Sequence, residues 1–185
     1  QIVPSEVLLH PGEKAAFNAY LLDGNGLAKW NSNQKGVYRV GVHPTRLKWV
    51  SYIPPTAKVK ATMKGAFNDA GELVATPDPV LSAGAFEATS PEGLKGYIRG
   101  RVMPNAPLKQ DFESFTLSET NAAEGAAFAY PPLPWIGARF KFEVRERDGN
   151  KCFVKTIDNK FFQRATVFMG TPEMKNYTIE ADVLS

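Results

Sequence analysis

Hydrophobic and polar residues alternate at period two wherever this chain carries a regular pattern. Gly36-Val37-Tyr38-Arg39-Val40-Gly41-Val42, Lys58-Val59-Lys60-Ala61-Thr62-Met63 and the run from Leu94 to Val102 all read this way. Such spacing sets one apolar edge inward and one polar edge in water, which predicts half-buried strands. Val3 to Leu9 alternates weakly and meets a turn signal at His10-Pro11-Gly12-Glu13 before the pattern resumes from Lys14 to Leu22, so two strands are expected there. The second should end at Asp23-Gly24-Asn25-Gly26, a doubled Asx-Gly turn able to supply the positive φ angles of a tight hairpin. Pro54-Pro55, Asn68-Asp69-Ala70-Gly71, Pro77-Asp78-Pro79 and Ser90-Pro91-Glu92-Gly93 punctuate the rest. No stretch before residue 104 has a capped pattern of period 3.6. Short strands at these intervals predict a β-sandwich.

Met103-Pro104-Asn105-Ala106-Pro107 reads as a linker, because two close prolines remove ladder donors and favour extended backbone. It sets the expected boundary between a first domain, 1–104, and a second, 105–185. In the second, Ser118 to Tyr130 reads as a loose segment and Pro131-Pro132-Leu133-Pro134 leads into Trp135. Ala138 to Arg147, the turn Asp148-Gly149-Asn150 and Lys151 to Thr156 form the clearest hairpin signal of the chain. Asn176 to Leu184 alternates as a strand would. A full sandwich takes roughly 100 residues, so the second domain is expected to be partial. Its missing strands would lie on another chain, or an edge would stay bare.

Composition narrows the class. Hydrophobic residues make up 43% and charged residues 22%, as in a folded globular protein. The 14 Pro and 15 Gly are spread along the chain, which suits many short elements joined by turns. The 22 basic residues are interleaved with 19 acidic ones, as in Phe142-Glu143-Val144-Arg145-Glu146-Arg147, so nucleic acid is not an expected partner. No apolar run approaches the ~20 residues of a membrane-spanning helix. A single cysteine, Cys152, rules out an intrachain disulfide and a Cys-based zinc site.

Two stretches carry a resemblance. Gly65-Ala66-Phe67, Gly71-Glu72-Leu73-Val74-Ala75, the run Gly84 to Thr89 and Gly93-Leu94-Lys95-Gly96 resemble the closing strands of bacterial immunoglobulin-like repeat domains. Pro11-Gly12-Glu13 and Asp23-Gly24-Asn25-Gly26 look similar to the start of such domains. Asp111-Phe112-Glu113, the run Trp135 to Glu146, Asp148-Gly149-Asn150-Lys151 and the run Asn176 to Val183 resemble the tail of large exported proteins of planctomycete-type bacteria. Those proteins carry a quinoprotein-like β-propeller, then an immunoglobulin-like segment, then a lectin-like jelly-roll. The resemblance implies an all-β chain in which an immunoglobulin-like β-sandwich is followed by a partial jelly-roll or lectin-like β-sandwich. It also implies a periplasmic or extracellular setting, and it carries over no catalytic residue and no cofactor.

Candidate chemistry is sparse. His10 and His43 each precede a proline, which marks turns more readily than a catalytic triad. Asp111, Glu113, Glu143 and Glu146 could supply paired carboxylates for glycoside hydrolysis, yet Glu143 shares a strand with Arg145 and Arg147, where ion pairing is the simpler role. Aromatic side chains beside turns can cover the apolar face of a sugar. Trp30, Trp49, Tyr52, Tyr130 and Trp135 stand in such places, Trp135 foremost because the prolines before it would hold it at a stiff loop edge. Phe161 and Phe162, with Tyr177 and Ile179, are the candidate edge for a partner chain. The expectation is a non-catalytic binding or assembly module without a cofactor or metal, meeting polysaccharide or a second chain. A jelly-roll glycoside hydrolase fragment and a purely structural spacer stay open beside it.

Overall fold

The computed structural model describes residues 1–33, 36–78, 80–156 and 165–184, with residues 33 and 36–38 as backbone alone. Its strands are β1 (Ile2–Val3), β2 (Glu6–Leu9), β3 (Lys14–Ala15), β4 (Asn18–Tyr20), β5 (Trp30–Asn33), β6 (Gly36–Arg39), β7 (Gly41–Val42) and β8 (Lys48–Tyr52). There follow β9 (Gly65–Phe67), β10 (Leu73–Ala75), β11 (Ser82–Thr89), β12 (Lys95–Val102), β13 (Glu119–Thr120), β14 (Ala127–Phe128), β15 (Phe142–Arg147) and β16 (Asn150–Lys155). One short 3-10 turn, Pro44–Arg46, is the sole helical element among the described residues. The chain is all-β.

The main sheet has the order β2-β12-β11-β8, antiparallel except where β2 runs parallel to β12. Two three-stranded sheets, β1-β4-β7 and β3-β10-β9, pack against its inner face. Alternation decides what they bury. Phe86, Ala88, Ile98 and Val102 point inward from the main sheet and meet Ile2, Ala19 and Leu73, all buried in one apolar cluster. Burying the larger of these, Phe86, Ile98, Val102, Ile2 and Leu73, stabilises by about 1.5–3 kcal/mol each. Trp49 joins them, its ring stacked on Phe67 at 3.9 Å and 7° and tilted on Phe17 at 5.7 Å.

Several expected elements take a different form. The Val3–Leu9 strand breaks into β1 and β2, which join different sheets, and Lys14–Leu22 breaks likewise into β3 and β4. At Asp23 the hairpin forms as expected: the Asp23 carboxylate accepts from the amides of Asn25 and Leu27 at 2.9 and 3.0 Å. Lys58–Met63 is not a strand. Its residues still alternate between outward and inward, but the backbone crosses over the inner face of the main sheet instead of joining a ladder.

Beyond Val102 ladder pairing stops until β13. The segment expected to be loose, Ser118 to Tyr130, contains the short hairpin β13-β14, closed by Asn121, whose side-chain oxygen accepts from the amide of Ala123 at 2.9 Å. Ala129 and Val144 exchange two backbone hydrogen bonds of 2.9 Å, which brings β14 beside β15. The hairpin β15-β16 turns through Asp148 and Gly149, at φ 52° and 79°, the two positive values a type I′ turn requires. Arg101 ties the halves together: its Nε donates to Glu6 at 2.7 Å and its Nη1 to the Leu133 carbonyl at 2.6 Å. Asn176 to Leu184 forms no ladder among the described residues and is exposed throughout. Its alternating side chains meet no described sheet edge, so period two alone does not make it a strand.

Candidate functional site

The outer face of the main sheet is built by the parity opposite to the core. Lys48, Val50 and Tyr52 on β8, Ala85 and Glu87 on β11, and Lys95, Tyr97 and Arg99 on β12 all project there, with Glu87 directly between Val50 and Tyr97 in register. Tyr52 and Tyr97 come from strands either side of β11, and their rings meet above the small side chain of Ala85 with centroids 4.8 Å apart and planes at 43°. Tyr97 stays 47% exposed, so the pair presents aromatic surface to solvent.

A polar triplet adjoins the rings. The Lys95 ammonium lies 2.8 Å from the Glu87 carboxylate. Hydrogen bonding from Lys95 first, and from the Tyr97 hydroxyl after it, holds Glu87 below the ordinary carboxylate range despite partial desolvation. In turn the bond to Glu87 raises Tyr97, with desolvation adding to it, and the same carboxylate raises Lys95. The Glu87 side chain is only 12% exposed because these two neighbours lie over it, while Lys95 is 55% exposed. Rings that can cover an apolar ligand face therefore stand next to fixed donors and an ionised acceptor.

The other expected aromatics separate from this face. Trp49 is three residues from Tyr52 on the same strand and so faces the opposite side, half-buried against the core and away from the tyrosine pair. Trp135 does not stand at a bare loop edge. Pro131, Pro132 and Pro134 are buried, and the Trp135 ring meets Phe112 edge-on at 5.7 Å and Phe153 edge-on at 5.1 Å. Phe153 stacks on both Phe112 and Phe142, and all four rings of this cluster are half-buried. Tyr130 is half-buried beside those prolines, at a groove of about 300 Å³ that Val59, Leu81 and Phe115 also line. Trp30, on the β5-β6 ribbon, is 59% exposed and has no aromatic neighbour among the described contacts.

Tyr177 and Ile179 are exposed, whereas Phe161 and Phe162 lie outside the described residues. Among the carboxylates, Glu143 pairs with Arg145 at 2.7 Å, and Glu113 accepts from the Lys151 amide at 2.8 Å. The His43 Nδ1 lies 2.8 Å from the Thr45 hydroxyl in the 3-10 turn. Among the described residues no three His, Cys, Asp or Glu side chains gather as a metal site would need, and no helix is long and apolar enough to cross a membrane.

Tyr97 is the member of the face that sequence reasoning passed over. Its signal was available: in the alternation from Leu94 to Val102 it falls on the polar edge with Lys95, Arg99 and Arg101, and a large ring there projects into water. Compared with known proteins, the chain matches no family model, no curated protein and no solved structure.

Proposed function

We propose that this chain is a non-catalytic binding module of an exported bacterial protein, working in the periplasm or outside the cell, with polysaccharide as its ligand. In this reading the first half is an immunoglobulin-like sandwich and the second a partial, lectin-like jelly-roll. The observation that carries it is the Tyr52–Tyr97 pair on an open sheet face beside the Glu87–Lys95–Tyr97 triplet. A flat face suits a polymer, whose rings pass over it in sequence, better than it suits a small substrate that must be enclosed. The hydrolase alternative draws less support, since Glu143 and Glu113 are already engaged by Arg145 and Lys151.

Calorimetric titration with a panel of soluble polysaccharides tests the reading. At least one should bind, and Tyr97→Ala or Tyr52→Ala should weaken it by about tenfold, the scale of losing one ring contact. Failure of every polysaccharide to bind, or full binding by the double variant, would reject the proposal. A reducing-end assay on the same mixtures gives the hydrolase its chance, because release of sugar ends would replace binding with catalysis. A protein partner remains a second reading, favoured by the exposure of Tyr177 (58%) and Ile179 (65%).

A further inference from the structure

The segment after the buried prolines holds a second arrangement with its own chemistry. Gly137, at φ 78°, turns the chain into Ala138, which is fully buried and whose carbonyl accepts from the amides of Lys141 and Phe142 at 3.1 and 2.9 Å. That tight turn throws Phe140 outward. Phe140 is 74% exposed and sits at φ 66°, a conformation that bulky side chains rarely adopt. A ring kept in water on a strained backbone gains nothing from burial, so the fold alone gives no reason for it.

Arg139 lies against this ring. Its guanidinium carbon is 4.7 Å from the Phe140 centroid and 5.4 Å from that of Tyr130. No carboxylate among the described residues comes within 4 Å of it. The Nε is covered and has no hydrogen-bond partner among the described residues. Lys141, half-buried on the same turn, supplies a second positive charge.

We infer that Tyr130, Arg139 and Phe140, with Lys141, form a subsite for a carboxylate-bearing sugar residue such as a uronate. The exposed phenyl ring covers the apolar face of the pyranose, and the guanidinium receives the acid group through charge-assisted hydrogen bonds that its planar fork favours. The aromatic contacts already orient that fork, so little freedom is lost when the acid arrives. This inference shares with the proposed function only the general class of ligand, since it uses different residues in the other half of the chain.

Titration of the whole chain with polygalacturonate and with neutral dextran, at low and high salt, tests it. Polygalacturonate should bind more tightly than dextran and should weaken as salt rises. Arg139→Gln and Phe140→Ala should each reduce its affinity by about tenfold or more, with dextran unaffected. Because Phe140 is exposed, its truncation leaves the fold intact and keeps the test decisive if the Arg139 variant is unstable. Equal affinity for the two polymers, or unchanged polygalacturonate binding by Phe140→Ala, overturns the inference. Loss of all binding in Tyr97→Ala with none in Arg139→Gln overturns it while sustaining the sheet-face reading, and the reverse pattern does the opposite.

Discussion

Gly84 lies directly opposite Gly100 in the β11–β12 ladder, and the hollow left by their two missing side chains is filled by Met63. A Cβ built on Gly84 would run into the Met63 amide and come within 2.9 Å of Thr62 backbone, whereas one on Gly100 would meet the Met63 sulfur and, at 3.2 Å, Leu73. Met63 is only 5% exposed. The two glycines thus let a connecting segment pass close over the sheet.

The two positions should respond unequally to alanine. Gly84→Ala pushes on backbone and should lower stability by about 3 kcal/mol, while Gly100→Ala pushes on a flexible thioether and should lower it by about 1 kcal/mol. Met63→Ala should cost about 2–4 kcal/mol alone and less in combination with Gly100→Ala, since the new methyl enters the vacated space. Urea midpoints of the four variants check this; equal losses at the two glycines would contradict the packing described.

Phe140 offers a cleaner test of backbone strain. Phe140→Ala and Phe140→Gly both remove the ring and its contact with Arg139, but only glycine accepts φ 66° without penalty. The glycine variant should therefore be the more stable of the two by about 1 kcal/mol, the order of the left-handed penalty for a side-chain-bearing residue. Urea unfolding of both variants measures the difference. The opposite ranking would place Phe140 in ordinary extended or helical backbone.

Alternation made the main sheet legible, because β11 and β12 are long enough for parity to repeat and one face of each is buried. It misled at Lys58–Met63, where inward and outward positions alternate but no neighbouring strand accepts the backbone, and at Asn176–Leu184, where the sequence alternates but every described residue is exposed. Period two reports which side a residue faces and says nothing of whether a ladder partner exists. The same limit governed the site. Tyr52 and Tyr97 are 45 positions apart in the sequence, and only the registers Tyr52–Ala85 and Tyr97–Glu87 bring them together. Trp49 and Trp135 adjoin turns, yet each packs against phenylalanines distant in sequence.

Exposure from Asn176 to Val183 has a direct consequence for exchange. Without described ladder partners, the amides of Thr178, Ile179 and Glu180 should exchange at close to unprotected rates, while those of Phe86 and Ile98 in the main sheet should require global opening. Ile179→Thr should leave stability within about 0.5 kcal/mol of the parent. Hydrogen exchange read by mass spectrometry on the isolated chain checks the first point, and slow exchange there would mean that the segment is paired after all.

The Glu87 triplet predicts a two-sided pH dependence. Glu87 has its folded value lowered from 4.5 by Lys95 and then by Tyr97, so its contribution to stability is present above 4.5 and is lost as pH falls through the folded value. Lys95 and Tyr97 have theirs raised from 10.5 and 10.0, chiefly by bonding to Glu87, so their contributions are present below those ordinary values and are lost as pH rises through the folded ones. The stability difference between the parent and Glu87→Gln should therefore be level from about pH 5 to 9 and shrink toward both extremes, where the triplet loses a charge on one side or the other. Urea midpoints collected across pH 3 to 11 give that difference directly. A difference that stays constant down to pH 3 would mean that Glu87 binds its proton equally well in the folded and unfolded chain and that the carboxylate beside the tyrosine pair is not the acceptor described.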